Sequence, residues 1–251
     1  MNIPPSTIES LRLYADRYET SDFINGDPSW FMHQVEGRAN QEAMAFVAQA
    51  VAYGSRKQFM PKIQRLLDES GGEMSRWIAE GAFNEVVPRD KSCFYRLYNN
   101  DMFNRFLSAY QTMLREYGTM GDFVERNAND ALSAINALTG FFAANGSDGI
   151  VPINSKSSCK RLCMFLRWMS RSNSPVDLGH WSEFIDRRTL IMPMDVHVMR
   201  QSVNFGLLKG TTATMSTARR LTDAMLEVFP DDPLKGDFAL FGLGVNGDSK
   251  E

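Results

Sequence analysis

The stretch IMPMDVHVMRQ, Ile191 to Gln201, places a single acid, Asp195, between an apolar run broken by Pro193 and the pattern of a helix start. An aspartate there stands where an N-cap belongs, because its side chain accepts a hydrogen bond from a backbone N–H that the first turn leaves unpaired. The same geometry can serve chemistry. The helix dipole and the free N–H groups keep such a carboxylate ionised, as a base or a counter-charge at neutral pH. Local sequence leaves both readings open. His197, two residues on, has no ligand spacing to His33 or His180, so a packed or hydrogen-bonded histidine is expected rather than a metal ligand.

Upstream lies CKRLCMFLRWMSR, Cys159 to Arg171, in which Leu162, Phe165, Leu166 and Met169 keep the spacing of one helix face. Lys160, Arg167 and Arg171 fall on another face and read as a basic stripe, which Lys156 extends backwards and Arg161 flanks. That stripe suits either a merely solvated surface or contacts to a polyanion. Helical periodicity continues outward in both directions: Ile8, Leu11 and Tyr14; Ala43, Phe46, Val47, Ala50 and Val51; Phe103, Phe106, Leu107, Tyr110, Met113 and Leu114, ending at Gly118. NANDALSAINALTGFFAANG, Asn127 to Gly146, runs from an Asn/Asp cap to a glycine stop. Alternating strand patterns are nearly absent, so the expected class is all-α. The turn-rich segment Ser170 to Thr189 is the expected boundary between two helical halves, and the tail VNGDSKE is expected to fray.

The whole chain sets outer limits. With 251 residues and 43% hydrophobic side chains it can fill a sizeable core, and its net charge of -3 gives no global attraction to nucleic acid or anionic membrane. Any polyanion must therefore meet a local basic patch. Cys93, Cys159 and Cys163 form no CxxC pair, so neither a disulfide framework nor a zinc or iron–sulfur site is indicated, and a reducing cytoplasm is the expected compartment. No run approaches the roughly 18 apolar residues of a membrane span and the N-terminus has no signal-peptide core, so a soluble, untargeted protein is expected.

KRLCMFLR, beginning at Lys160, is similar to the K-x-x-x-x-F-L-R of archaeal-type 8-oxoguanine DNA glycosylase/AP lyases, and DVHVMR, beginning at Asp195, is similar to their D-K/R-H-x-L-R. FYRLYNN, Phe94 to Asn100, resembles their R-F-Y segment; FVAQAVAYGSRKQF, Phe46 to Phe59, takes the place of a helix-then-loop that contacts the strand near the lesion; GDFALFGLG, Gly236 to Gly244, resembles their closing helix. The order of these motifs over most of the chain resembles the helix-hairpin-helix DNA glycosylase superfamily, through an uncharacterised bacterial family related to it.

The resemblance implies a helix-hairpin-helix glycosylase-like fold of two helical subdomains with a cleft between them: a barrel lobe over residues 40–172 with a degenerate hairpin, and a second lobe of 1–39 plus 173–251. It implies base-excision repair of damaged DNA by an expected monomer, with Lys160 attacking C1′ and Asp195 stabilising charge on the sugar, and lyase activity through the resulting Schiff base. Because a free lysine has a pKa of about 10.4, burial and the neighbouring Arg161 and Arg167 would have to depress it. Tyr95, Arg96, Tyr98, Trp168, Asp237 and Phe241 are the implied substrate contacts, with Trp181 as a further aromatic candidate, although aromatics in helical proteins more often fill cores. Gly54, Ser55, Arg56, Lys57, Lys156, Ser158, Arg167 and Arg171 are the implied contacts to the nucleic-acid backbone. No metal and no cofactor is expected.

Two departures stand out. The superfamily's hairpin carries a G-x-G whose N–H groups hold a phosphate, whereas NSKSSCK, Asn154 to Lys160, has no glycine. The Ser170 to Thr189 insertion also lengthens the gap between Lys160 and Asp195, and as a loop it could cover the cleft in place of the missing hairpin contacts. A degenerate DNA-binding member of the same fold, or a helical interaction protein without a nucleic-acid role, remain the alternatives.

Overall fold

The computed structural model describes residues 3–147 and 149–247, and it divides into two compact units. One, the inserted unit, comprises Ile24–Asn129 and Ser133–Asn154; the other, the terminal unit, comprises Met1–Phe23, Asp130–Leu132 and Ser155–Glu251. In chain order the α-helices are α1 (Pro5–Tyr18), α2 (Arg38–Val51), α3 (Arg56–Ser70), α4 (Met74–Ala79) and α5 (Phe83–Val86), then α6 (Asn100–Tyr117), α7 (Met120–Asn127) and α8 (Ala131–Ala144). They continue with α9 (Lys160–Ser170), α10 (Val196–Asn204), α11 (Met215–Val228) and α12 (Lys235–Asn246). The fold is thus mostly helical, as expected, with one small antiparallel pair, β1 (Cys93–Tyr95) and β2 (Tyr98–Asn99), where FYRLYNN makes a tight hairpin.

Local chemistry accounts for the helix ends. The N–H of Met102 donates to the Asn99 side chain at 2.8 Å to start α6, and Gly118 at φ 87 stops it. In the inserted unit α2 packs against α4 and α7, and the buried Glu42 of α2 accepts the N–H groups of Met120 at 2.7 Å and Gly121 at 3.0 Å. A carboxylate is thereby placed on the positive end of α7, where two otherwise unpaired donors need it.

In the terminal unit α12 is the packing axis for α1 and α10. Its glycines permit this: a Cβ on Gly242 would stand 2.3 Å from the Tyr18 ring, and one on Gly244 2.7 Å from His197 Cβ. Glycine inside a helix costs about 1 kcal/mol relative to alanine, which here is offset by helix approaches that no other residue allows. α12 runs to Asn246 and so takes up the first part of the expected frayed tail, while residues 248–251 lie outside the described residues.

The unit boundary differs from the expected one. It falls between Asn154 and Ser155 rather than near residue 172, so α9 belongs with the N- and C-terminal segments. Residues 170–189 are correspondingly no linker. Leu178 and Gly179 donate N–H bonds to Trp168 O, and Trp181 donates to Met169 O at 2.6 Å, so the segment folds back over the end of α9. Val176, Trp181 and Ile185 are buried there, which gives this turn-rich stretch a core role that its composition conceals.

Candidate active site

Asp195 is the N-cap of α10: its φ of -77° and ψ of 158° are extended, and one carboxylate oxygen accepts the His197 N–H at 2.9 Å. The second oxygen accepts a hydrogen bond from Lys160 Nζ in a salt bridge. The cap and the charge partner are therefore the same side chain, each oxygen doing one task. Lys160 is the first residue of α9 and follows Cys159, whose φ of 45° turns the chain sharply into the helix. The lysine side chain is 39% exposed and the aspartate side chain 17%, so the pair is reachable from solvent but not fully hydrated. Burial pushes the Asp195 carboxyl up, yet the Lys160 ammonium and the hydrogen bonds from Lys160 and the His197 N–H outweigh it and leave its pKa below the ordinary value. Asp195 thus stays ionised at neutral pH.

His197 packs as expected of a structural histidine: Nδ1 lies 2.8 Å from Gly244 O, and the ring meets Phe241 edge-on at 5.9 Å. Half-buried Phe241 therefore sits one residue-layer from the acid that caps α10. Among the described residues no group of three or more His, Cys, Asp and Glu side chains is arranged to hold a metal ion. Burial raises the thiols of Cys159 and Cys163, which keeps both protonated.

The expected basic stripe on α9 is corrected by the structure. Arg167 and Arg171 are 3% and 1% exposed, and both are consumed by internal acids. Arg167 Nε donates to Asp177 at 3.2 Å and its Nη1 to Asp237. Arg171 donates to Asp232 at 2.8 and 2.9 Å, to Glu19 at 2.7 Å, and to Asp177. Neither guanidinium is available to a phosphate, because helix spacing assigns a residue to a face without saying what covers that face. The network's two arginines face four carboxylates. Asp237 feels the excess: burial raises its pKa, Arg167 lowers it, Asp195 and Asp177 raise it again, and the balance lies at about 6. Its coupling to Asp195 places this buried acid within electrical reach of the lysine–aspartate pair.

The other expected site residues separate into three groups. Trp168 and Trp181 are wholly buried, and Ser158 is buried, its carbonyl accepting the Cys163 thiol at 3.4 Å; these three are core rather than ligand contacts. Tyr95 and Tyr98 are buried in the inserted unit against Tyr53, at ring distances of 5.0 and 4.9 Å, and serve to hold the hairpin. Gly54, Ser55, Arg56, Lys57 and Arg96 in the inserted unit, and Lys156 in the terminal unit, are exposed. Asp177, Asp232 and Glu19 escape sequence reasoning, since Arg171 meets the last two across 61 and 152 residues of chain.

A family model described as "Protein of unknown function (DUF2400)" matches residues 27–246. The chain belongs to the DUF2400 family. Within the matched span lie Lys160, Asp195, Asp237 and the whole arginine–carboxylate network except Glu19. No curated protein and no solved structure matches the chain. The description of DUF2400 states no activity, so the chemistry of the site rests on its geometry. No helix among the described residues is long and apolar enough to cross a membrane.

Proposed function

We propose that this chain is a DNA base-excision enzyme of the helix-hairpin-helix glycosylase type, with Lys160 as amine nucleophile and Asp195 as its proton acceptor and electrostatic partner. One observation carries the reading: two residues 35 positions apart, on the first turn of α9 and the cap of α10, meet in a half-exposed lysine–aspartate pair. A carboxylate capping a helix is held in place by its backbone bond, so it can take a proton from Lys160 without moving.

The reaction balances without an external redox agent. Asp195 accepts a proton from the Lys160 ammonium, and the free amine attacks C1′ of a flipped nucleotide. The C1′–N bond to the base breaks, its electron pair leaves with the base, and the base takes up a proton. Asp195 hands that base the proton it took from Lys160 and, ionised again, faces the positive charge left on the sugar and its lysine adduct. Opening of the sugar ring then gives a Schiff base between Lys160 and C1′, from which loss of a C2′ proton expels the 3′ phosphate.

The salt bridge also supports a second reading. An amine held against a carboxylate as an ammonium is a poor nucleophile, and the glycine-free Asn154 to Lys160 segment lacks the superfamily's phosphate grip. A DNA-binding member that does not cut has both features. Borohydride trapping with oligonucleotides carrying an abasic site, an oxidised purine, an oxidised pyrimidine or uracil separates the two. Catalysis predicts a covalent adduct that Lys160→Gln abolishes; salt-sensitive binding without any adduct supports the second reading, and no binding removes both.

A further inference from the structure

A polar cavity of about 600 Å³ lies at the opposite end of α9 from Lys160, and every residue that lines it belongs to the terminal unit. That volume falls within the range of about 300–1,000 Å³ usual for small-molecule sites. Four helix ends meet there. Asp16 and Glu19 come from the end of α1, Arg171 from the end of α9, Asp231 and Asp232 from the turn after α11, and Lys235 opens α12. Helix C-termini carry partial negative charge and N-termini partial positive charge, so three negative poles and one positive pole adjoin the space. Arg12 spends part of the α11 pole, with bonds of 3.1 and 3.3 Å to Val228 O.

The charges on the wall are of two kinds. Glu19 and Asp232 are held by Arg171, which also holds Asp177. Asp16, Asp231 and Lys235 form no ion pair among the described residues, and Arg187 spends its Nε on Asp231 O at 2.9 Å without forming one. Counted together, four acids and three cations line the cavity, which leaves one negative charge in excess. Val228, Phe229 and Pro230 add a stretch of carbon between charged neighbours in the chain. The rim is fixed: Asn173 takes φ 59°, and Ser174 Oγ accepts the N–H groups of Val176 and Asp177, both at 3.2 Å.

We infer that this cavity binds a free basic α-amino acid of the lysine, ornithine or arginine type. Such a molecule carries two cations, one carboxylate and a chain of methylenes, and its net positive charge matches the excess on the wall. Asp16 and Asp231 take the two cations, Lys235 and Arg187 the carboxylate, and the apolar strip the methylenes. Other ligands use less of the wall. No group of three or more acids, histidines or cysteines is arranged for a metal ion among the described residues. A simple polyamine leaves Lys235 facing like charge, and a phosphate meets the excess of acids. Neither the nucleic-acid reading nor the chemistry of Lys160 enters into this site.

The test is calorimetric titration and thermal unfolding of the full-length protein. Lysine should bind at one molecule per chain and raise Tm. Cadaverine, which lacks the carboxylate, and Nα-acetyl-lysine, which lacks the α-ammonium and mimics a peptide C-terminus, should each bind at least about tenfold more weakly. Asp16 and Asp231 are exposed and stand outside the buried network, so Asp16→Asn and Asp231→Asn should unfold as the parent does without ligand and weaken lysine about tenfold. Lys235→Gln should weaken lysine and strengthen cadaverine, an opposed pair of changes that no general loss of folding produces. Absence of binding by lysine, ornithine and arginine at millimolar concentration would overturn the inference. So would cadaverine binding as tightly as lysine, which makes the cavity a polyamine site, or Nα-acetyl-lysine doing so, which assigns it to a protein C-terminus.

Discussion

Both units bury apolar side chains, but the terminal unit adds a network of buried charges to them. The inserted unit stacks rings: Phe46 lies 5.5 Å from Phe106, 5.3 Å from Tyr110 and 5.1 Å from Phe142, all wholly buried. The terminal unit also buries two guanidinium groups among Asp177, Asp232, Asp237 and Glu19, with the Phe238 ring 4.5 Å from Arg167 and 5.1 Å from Arg171. Apolar packing gives stability that depends little on pH, because its driving force is area removed from water. A buried charge network is conditional, since every carboxylate that loses its partner must be desolvated alone or take up a proton. The difference puts titratable behaviour in the unit that also carries Lys160 and Asp195.

The largest effects should come from breaking each interior at its centre. Arg171→Met strands carboxylates at three positions and should destabilise the protein by about 5 kcal/mol at neutral pH, the upper end for a broken buried pair. Phe46→Ala should cost about 4 kcal/mol, as an aromatic truncated in a closed core. Urea titrations at pH 7 and pH 4.5 sharpen the contrast. Acid neutralises stranded carboxylates, so the Arg171→Met deficit should shrink at the lower pH while the Phe46→Ala deficit stays. Equal pH behaviour of the two variants would mean that the network is not what holds the terminal unit.

A smaller effect isolates one acid. Native Asp237 keeps its proton up to about pH 6, whereas the ordinary value is 3.8, so between these the folded state binds a proton that the unfolded chain has released. The stability tied to that proton is fully present below pH 3.8 and is lost as pH rises through 6. Asp237→Asn cannot lose a proton and should remove a decline on the order of 3 kcal/mol across this window, while Asp177 still holds Arg167. Stability curves against pH for both proteins would reveal it as a difference in slope, and parallel curves would refute it.

Legibility in the sequence followed the range of the interactions. α6 could be read from Phe103, Phe106, Tyr110 and Met113 with Gly118 as its stop, and Asp195 as a cap, because periods and caps act within one or two turns. The fates of Arg167 and Arg171 could not, because their partners come from the C-cap of α1, the 170–189 segment, the loop before α12 and the first turn of α12, and no spacing rule links such positions. The hairpin at Tyr95–Tyr98 was hidden by its brevity, since a two-residue strand has no period to detect. The Lys160–Asp195 contact lay between these cases: each residue was marked by its place at a helix start, and their meeting across 35 residues was implied by resemblance to known motifs rather than by any local pattern.

The smallest expected effect on stability bears most directly on what Asp195 is for. Asparagine caps helices about as well as aspartate, so Asp195→Asn retains an acceptor for the His197 N–H while removing the charge that faces Lys160. The lysine is partly exposed, and a pair of that kind contributes about 1 kcal/mol or less, so the variant should fold and unfold nearly as the parent does. Its chemistry should differ sharply if Asp195 takes the proton from Lys160, with adduct formation falling about a hundredfold or more, in the range ascribed to a positioned general base. Asp195→Ala then provides the complement: it removes cap and charge together and should cost about 1 kcal/mol more than the asparagine variant. A trapping rate unchanged in Asp195→Asn, with stability lost only in Asp195→Ala, would reduce Asp195 to a helix cap and leave Lys160 to find another base.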